Sequence, residues 1–207
     1  MPSSANLYEE YHVTRQDERL QLFQEVCKWY SPRSALYPGC FVHVTPSLVI
    51  PRVVYVDSDR RAARFFASTR MLEIVTQRKQ YPEPPIIHFH AQSYENPLDE
   101  PESSFDLLVS QYAGFVSRAC KQYLRVGGHL VANNSHGDAS MASLDPDYRL
   151  VAVYKRRGER FTVIDDDLQS YMVVKKPPAP SREDLERTQR GPGFVRPASG
   201  YIFERLG

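Results

Sequence analysis

Residues 34–57 read SALYPGCFVHVTPSLVIPRVVYVD: two short apolar runs, 35–37 and 53–56, joined by the 15 residues 38–52. The first run stops at Pro38-Gly39 and the second at Asp57-Ser58-Asp59, so both read as buried strands. A link of that length is too long for a hairpin and about what a parallel crossover needs, so the two strands are expected to pair in parallel. Inside the link, Thr45 is placed to cap a helix that starts with Pro46.

Working outward, Leu20, Phe23, Val26, Cys27 and Tyr30 recur at helical spacing, with Thr14 and Asp17 as a capping pattern ahead of them. Asp59 can cap a helix over 60–77, after which the proline-rich stretch 81–85 forces an extended connection. Strands are expected at 86–89, 105–109 and 129–132, with a helix over 114–123 and a turn at 125–128 before the last of them. This alternation predicts an α/β fold: a doubly wound, mostly parallel sheet with helices on both faces and a ligand crevice at the carboxyl ends of the strands. Residues 150–154 and 161–164 flank a charged turn and read as a hairpin, giving the sheet an antiparallel C-terminal edge. Residues 175–200 hold five of the 16 prolines and read as an irregular arm, followed by a short edge strand from 201. The expected organisation is one domain over 1–207, with an N-terminal helical segment 1–33, a core 34–174, the arm 175–200 and the edge strand 201–207.

Composition narrows the function classes. The 207 residues are 42% hydrophobic and 25% charged, a folded composition, and 26 Lys and Arg against 25 Asp and Glu leave a net charge of +1. That charge supplies no field for a nucleic acid or an anionic membrane, so neither is expected as a partner. Cys27, Cys40 and Cys120 are odd in number and in no CxxC spacing, which points away from a disulfide framework and toward a reducing compartment. The N-terminus has no apolar signal region and no window reaches 18 apolar residues, so a cytoplasmic location is expected. Gly39 is the sole glycine before Gly114, which excludes a Walker A loop and a GxGxxG fingerprint.

Ser34-Ala35-Leu36-Tyr37-Pro38-Gly39-Cys40 resembles the first motif of class I S-adenosylmethionine-dependent methyltransferases. Further landmarks follow in the family's order: Val53 to Asp57 as a second strand with its terminal acid, Ser104-Phe105-Asp106-Leu107-Leu108-Val109-Ser110 as a fourth strand, and Tyr123-Leu124-Arg125-Val126-Gly127-Gly128-His129-Leu130-Val131 as the turn into strand five. The resemblance spans residues 30 to 135 and implies a Rossmann-like fold with S-adenosylmethionine as cofactor. The chain departs from the family at the cofactor loop, where Tyr37 replaces the acid before the first glycine and Phe41 and His43 replace later glycines. A Phe41 ring must swing aside or take the place of the methionine moiety.

The resemblance implies cofactor-binding positions at Tyr37, Gly39, Asp57, Gln92 and Ser110. Asp57, ending an apolar strand, can accept from both ribose hydroxyls or can serve only as a turn and helix cap, a role equally open to Asp59. Gln92 can accept from an adenine amino group or be a solvated loop amide. After strand four, Gln111 is a candidate substrate contact, and Tyr112 either orients an acceptor or packs beneath the loop. In the polar cluster 133–138, Asn134 is a candidate substrate contact, and His136 with Asp138 can supply a general base or form a turn and cap. His88 and His90 share one strand face, but no ligand set of recognisable spacing completes them, so no metal is expected. Asp165-Asp166-Asp167 and Lys155-Arg156-Arg157 read as solvated turns.

Two functions compete: a methyltransferase acting on a small molecule, and a non-catalytic binding or scaffold protein on the same fold that has lost the cofactor. A nicotinamide dehydrogenase ranks behind both, because the chain has no pyrophosphate-binding glycine loop. Whether the arm covers the crevice or a partner subunit, as in a homodimer, stays open at this level.

Overall fold

A computed structural model describes residues 19–111, 113–158 and 160–207. The Thr14/Asp17 capping pattern and Tyr112 lie outside them. The chain divides into two compact units, residues 1–99 and 100–207.

In the first unit, helix α1 (Leu20–Tyr30) precedes three parallel strands, β1 (Ser34–Pro38), β2 (Arg52–Val56) and β3 (Ile86–His90), in the order β3-β2-β1. The parallel pairing expected from the long link is present, with Pro38 level with Val56 and Val56 level with His90. The link itself differs from expectation. It holds a single 3-10 turn, Thr45–Leu48, and Thr45 Oγ1 is buried without a partner instead of capping. Pro51 follows too soon for a longer helix. Tyr55 on β2 anchors the turn, its hydroxyl bonding Ser47 Oγ at 2.7 Å and donating to Val44 O at 3.1 Å.

The helix expected over 60–77 is two, α2 (Arg60–Phe66) and α3 (Thr69–Arg78). Asp59 caps α2 as expected, accepting from Arg61 N at 2.7 Å. Ser68, a residue that competes for backbone donors, breaks the run and caps α3 by accepting from Met71 N. Phe66 of α2 stacks on Phe89 of β3 with centroids 4.5 Å apart and closes this core.

In the second unit, β4 (Phe105–Ser110) pairs in parallel with β5 (Leu124–Ala132). The residues expected as a turn, 125–128, run inside β5 across a register shift: Phe105 is opposite Leu124, but Leu107 is opposite His129. The helix expected over 114–123 shortens to α4 (Val116–Ala119) and a 3-10 turn, Lys121–Tyr123. Helix α5 (Asp138–Ser143) leads to the hairpin β6 (Tyr148–Arg157) and β7 (Arg160–Ile164), antiparallel as expected. The last strand, β8 (Gly200–Arg205), is not an edge. It lies between β5 and β6, antiparallel to both, in the order β4-β5-β8-β6-β7.

The arm is not wholly irregular. It contains helix α6 (Arg182–Thr188), opened by a capping box between Ser181 and Asp184. Its two ends pair with each other, Lys175 N on Gly193 O and Val195 N on Val173 O, both at 2.8 Å. Fully buried Leu185 of α6 packs with Phe115 and Met141, pinning the arm to the unit. None of the described helices is long and apolar enough to cross a membrane.

Candidate functional site

Because the three parallel strands of the first unit end level, the residues that follow them share one rim. The ladder continues one step past the strands, Gly39 N donating to Val56 O at 2.8 Å and Asp57 N to His90 O at 3.1 Å. Gly39 sits at φ 65°, a left-handed conformation that glycine adopts freely and that lets a ligand approach the backbone. Asp57 is half-buried and clasped by two backbone donors, Phe41 N on Oδ2 at 2.7 Å and Asp59 N on Oδ1 at 2.8 Å. Each carboxylate oxygen has a second lone pair, so the clasp orients the group and leaves acceptor capacity. Gln92 donates through Nε2 to Pro97 O at 2.9 Å, which fixes the amide and leaves Oε1 as an acceptor.

Phe41, where the family has glycine, takes φ 48°. Its half-buried ring lies beneath the Arg61 guanidinium, 4.8 Å from the centroid, while Arg61 also pairs with Asp59 at 2.7 Å and holds that carboxyl below its usual range. Tyr37 is 1% exposed and hydrogen-bonds His43 Nδ1 at 2.9 Å, with the rings edge to face. Two of the three bulky replacements in the loop, Tyr37 and His43, thus satisfy each other inside the core. On β3 the rings of His88 and His90 are 4.3 Å apart, as their shared strand face requires.

In the second unit, Ser110 and Asp138 come together. Asp138 opens α5, is 1% exposed, and accepts from Ser110 Oγ, Ser117 Oγ and Ser117 N. Burial pushes its carboxyl up to about 6, against the lowering effect of these donors. The carboxylate is therefore spent on two serines, while His136 is exposed to solvent. Buried Gln111 donates from Nε2 to Tyr154 Oη at 3.2 Å. That phenol lies directly over Gly200, where a Cβ would stand 2.2 Å from its ring. Asn134 is a brace: Oδ1 accepts from Ser140 N and Oγ at 3.0 Å, and Nδ2 reaches Pro192 O of the arm at 3.4 Å.

Sequence reasoning did not single out Ser117, Tyr154 or Asn133. Only the Asn-rich cluster could have signalled the last, since Ser117 and Tyr154 stand in ordinary apolar-periodic segments. None of the three cysteines forms a disulfide, and burial raises every thiol, Cys27 and Cys120 up to about 12, so they stay protonated at neutral pH and are poor nucleophiles.

Parallel strands followed by an antiparallel hairpin give this chain the fold of solved class I methyltransferases. A methyltransferase from Geobacter sulfurreducens superposes with a TM-score of 0.53 at 14% identity, covering 99% of this chain and 86% of that one. The O-methyltransferase from Bacillus cereus in complex with SAH gives 0.51 at 12% identity, covering 100% and 92%. A protein of Methanococcus maripaludis described as a "putative S-adenosyl-L-methionine-dependent methyltransferase" gives 0.52 at 12%, covering 98% and 92%. No family model and no curated protein matches the sequence.

Proposed function

We propose that this chain is an S-adenosylmethionine-dependent methyltransferase acting on a small molecule. The observation that carries the reading is Asp57: a carboxylate at the tip of β2, held rigid by two backbone N–H groups, with lone pairs still open. It suits the paired hydroxyls of a ribose. Gln92 Oε1 suits an adenine amino group, and Gly39 allows close passage of the ligand over the loop. The core pairing of Tyr37 with His43 keeps those side chains out of the cofactor's way. The cofactor, when bound, supplies an electrophilic methyl group for direct displacement, so alignment of the acceptor is the main task left to the protein. Gln111 is fixed by Tyr154, and Ser110 by Asp138, as candidates for that task. Where an acceptor must lose a proton, exposed His136 is a better recipient than Asp138, whose oxygens are occupied.

The test is calorimetric titration with S-adenosylhomocysteine. Asp57→Ala is expected to weaken binding by about 10- to 150-fold, since a hydrogen bond to a charged group is worth about 1.5–3 kcal/mol. Asp59→Ala, which removes the cap and the ion pair to Arg61 but keeps the backbone N–H on Asp57, should leave affinity unchanged. No binding to the unmodified protein up to millimolar concentration would overturn the proposal in favour of a non-catalytic role.

A further inference from the structure

We infer that the carboxyl end of β5 and the returning arm form a subsite for a small, flat, uncharged molecule bearing a carbonyl-type oxygen, with Asn133 Nδ2 as its hydrogen-bond donor. A cavity of about 300 Å³ opens there, between Asn133 and the arm residues Phe194, Pro197 and Ala198, with Tyr201 of β8 as a further wall. This volume is at the lower end for small-molecule sites. Phe194 and Tyr201 meet edge to face with centroids 5.7 Å apart, giving the apolar surfaces a planar ligand needs. None of the described side chains lining the cavity carries a charge, which selects a neutral occupant.

Asn133 is 9% exposed and held from three directions. Its backbone N donates to Ser110 O at 3.2 Å, its backbone O accepts from Ala139 N at 3.2 Å, and its Oδ1 accepts from Ser135 N at 3.1 Å and Ser135 Oγ at 2.8 Å. Because Ser135 N can only donate, the amide orientation is fixed and the other end is nitrogen. That nitrogen, Nδ2, is buried and has no partner. A buried donor without an acceptor is rare and costly, and an acceptor oxygen arriving in the adjoining cavity satisfies it. A larger cavity of about 440 Å³, bounded by Tyr148, Leu150 and Phe203, offers no such group, for the Tyr148 hydroxyl is already donated to Ser117 O at 3.1 Å.

The subsite stands on the geometry of the second unit alone. The experiment uses the full chain without cofactor, two isosteric probes, acetophenone and α-methylstyrene, and the side-chain amide resonances of Asn133 in ¹H–¹⁵N spectra. Acetophenone is expected to shift those resonances and to bind about 5- to 150-fold more tightly than the hydrocarbon, the range for satisfying a buried donor. Asn133→Asp keeps the acceptor for Ser135 and removes the donor, so it should abolish the preference. Ala198→Phe fills the cavity and should abolish binding of both probes while Asn133 remains. Absence of acetophenone binding at 10 mM, equal affinity for the two probes, or undiminished binding to Ala198→Phe would overturn the inference. Failure of S-adenosylhomocysteine to bind, with the probe preference intact, would instead overturn the methyltransferase reading and leave the subsite standing.

Discussion

Replacing Asp138 by Asn is expected to change the pH dependence of stability in a defined direction. The Asp138 carboxyl is raised from 3.8 to about 6 in the folded protein, with burial as the leading cause. Below about pH 4 the group is protonated whether the chain is folded or not, and it carries no penalty. Between pH 4 and 6 the unfolded chain releases its proton freely, while the folded protein must either keep it or ionise a carboxyl that is 1% exposed. The stability present below pH 4 is therefore lost as the pH climbs through 6. A rise of about 2 pH units, at about 1.4 kcal/mol each, makes the loss about 3 kcal/mol. The carboxamide of Asp138→Asn has the shape of the neutral acid and no charge to bury. With its oxygen in the place of Oδ1 it keeps the bonds from Ser117 N and Ser117 Oγ, and the Ser110 hydroxyl can turn to accept from its amide nitrogen. Urea unfolding of both proteins at pH 4, 5, 6 and 7 supplies the measurement, read as the stability difference between variant and wild type, which cancels every other titrating group. That difference should move by about 3 kcal/mol in favour of the variant between pH 4 and pH 7. A difference constant to within 1 kcal/mol would refute the claim that burial raises this carboxyl.

Two more substitutions test the geometry. Gly200→Ala would put a Cβ 2.2 Å from the Tyr154 ring, and since that ring is 2% exposed it cannot simply swing into solvent. A loss of about 1–3 kcal/mol is expected in urea unfolding, with part of it regained when Tyr154→Ala is added, and simple additivity would show that the contact is not the cause. At position 41, φ 48° favours glycine, so Phe41→Gly should be more stable than Phe41→Ala by about 1 kcal/mol, although both lose the ring beneath Arg61. An Ala variant equal to the Gly variant would mean that the loop relaxes out of the left-handed conformation once the ring is gone.

The strands were legible because each is a short apolar run with a hard stop, and the length of the 38–52 link sufficed to predict the parallel pairing of β1 with β2. Asp57 and Gly39 were legible as rim residues for the same reason: in a parallel sheet, whatever follows a strand stands at its carboxyl end. Helix continuity was less so. Ser68 looks like one polar residue in an amphipathic run, and only its bond from Met71 N turns it into a boundary. The place of β8 between β5 and β6 has no sequence signature at all, since an apolar strand of six residues fits an edge or an interior and the choice depends on which neighbours leave their backbone groups unpaired. The same holds for the polar chemistry. Asp138 next to His136 in the chain suggested a dyad, yet the carboxylate chose Ser110 and Ser117, 28 and 21 residues away, and Gln111 chose Tyr154 at a separation of 43. Local order along a chain dictates the hydrophobic pattern and hence the elements. Which buried polar groups meet is decided when those elements pack, because each donor or acceptor removed from water must find whatever partner the finished interior brings within reach.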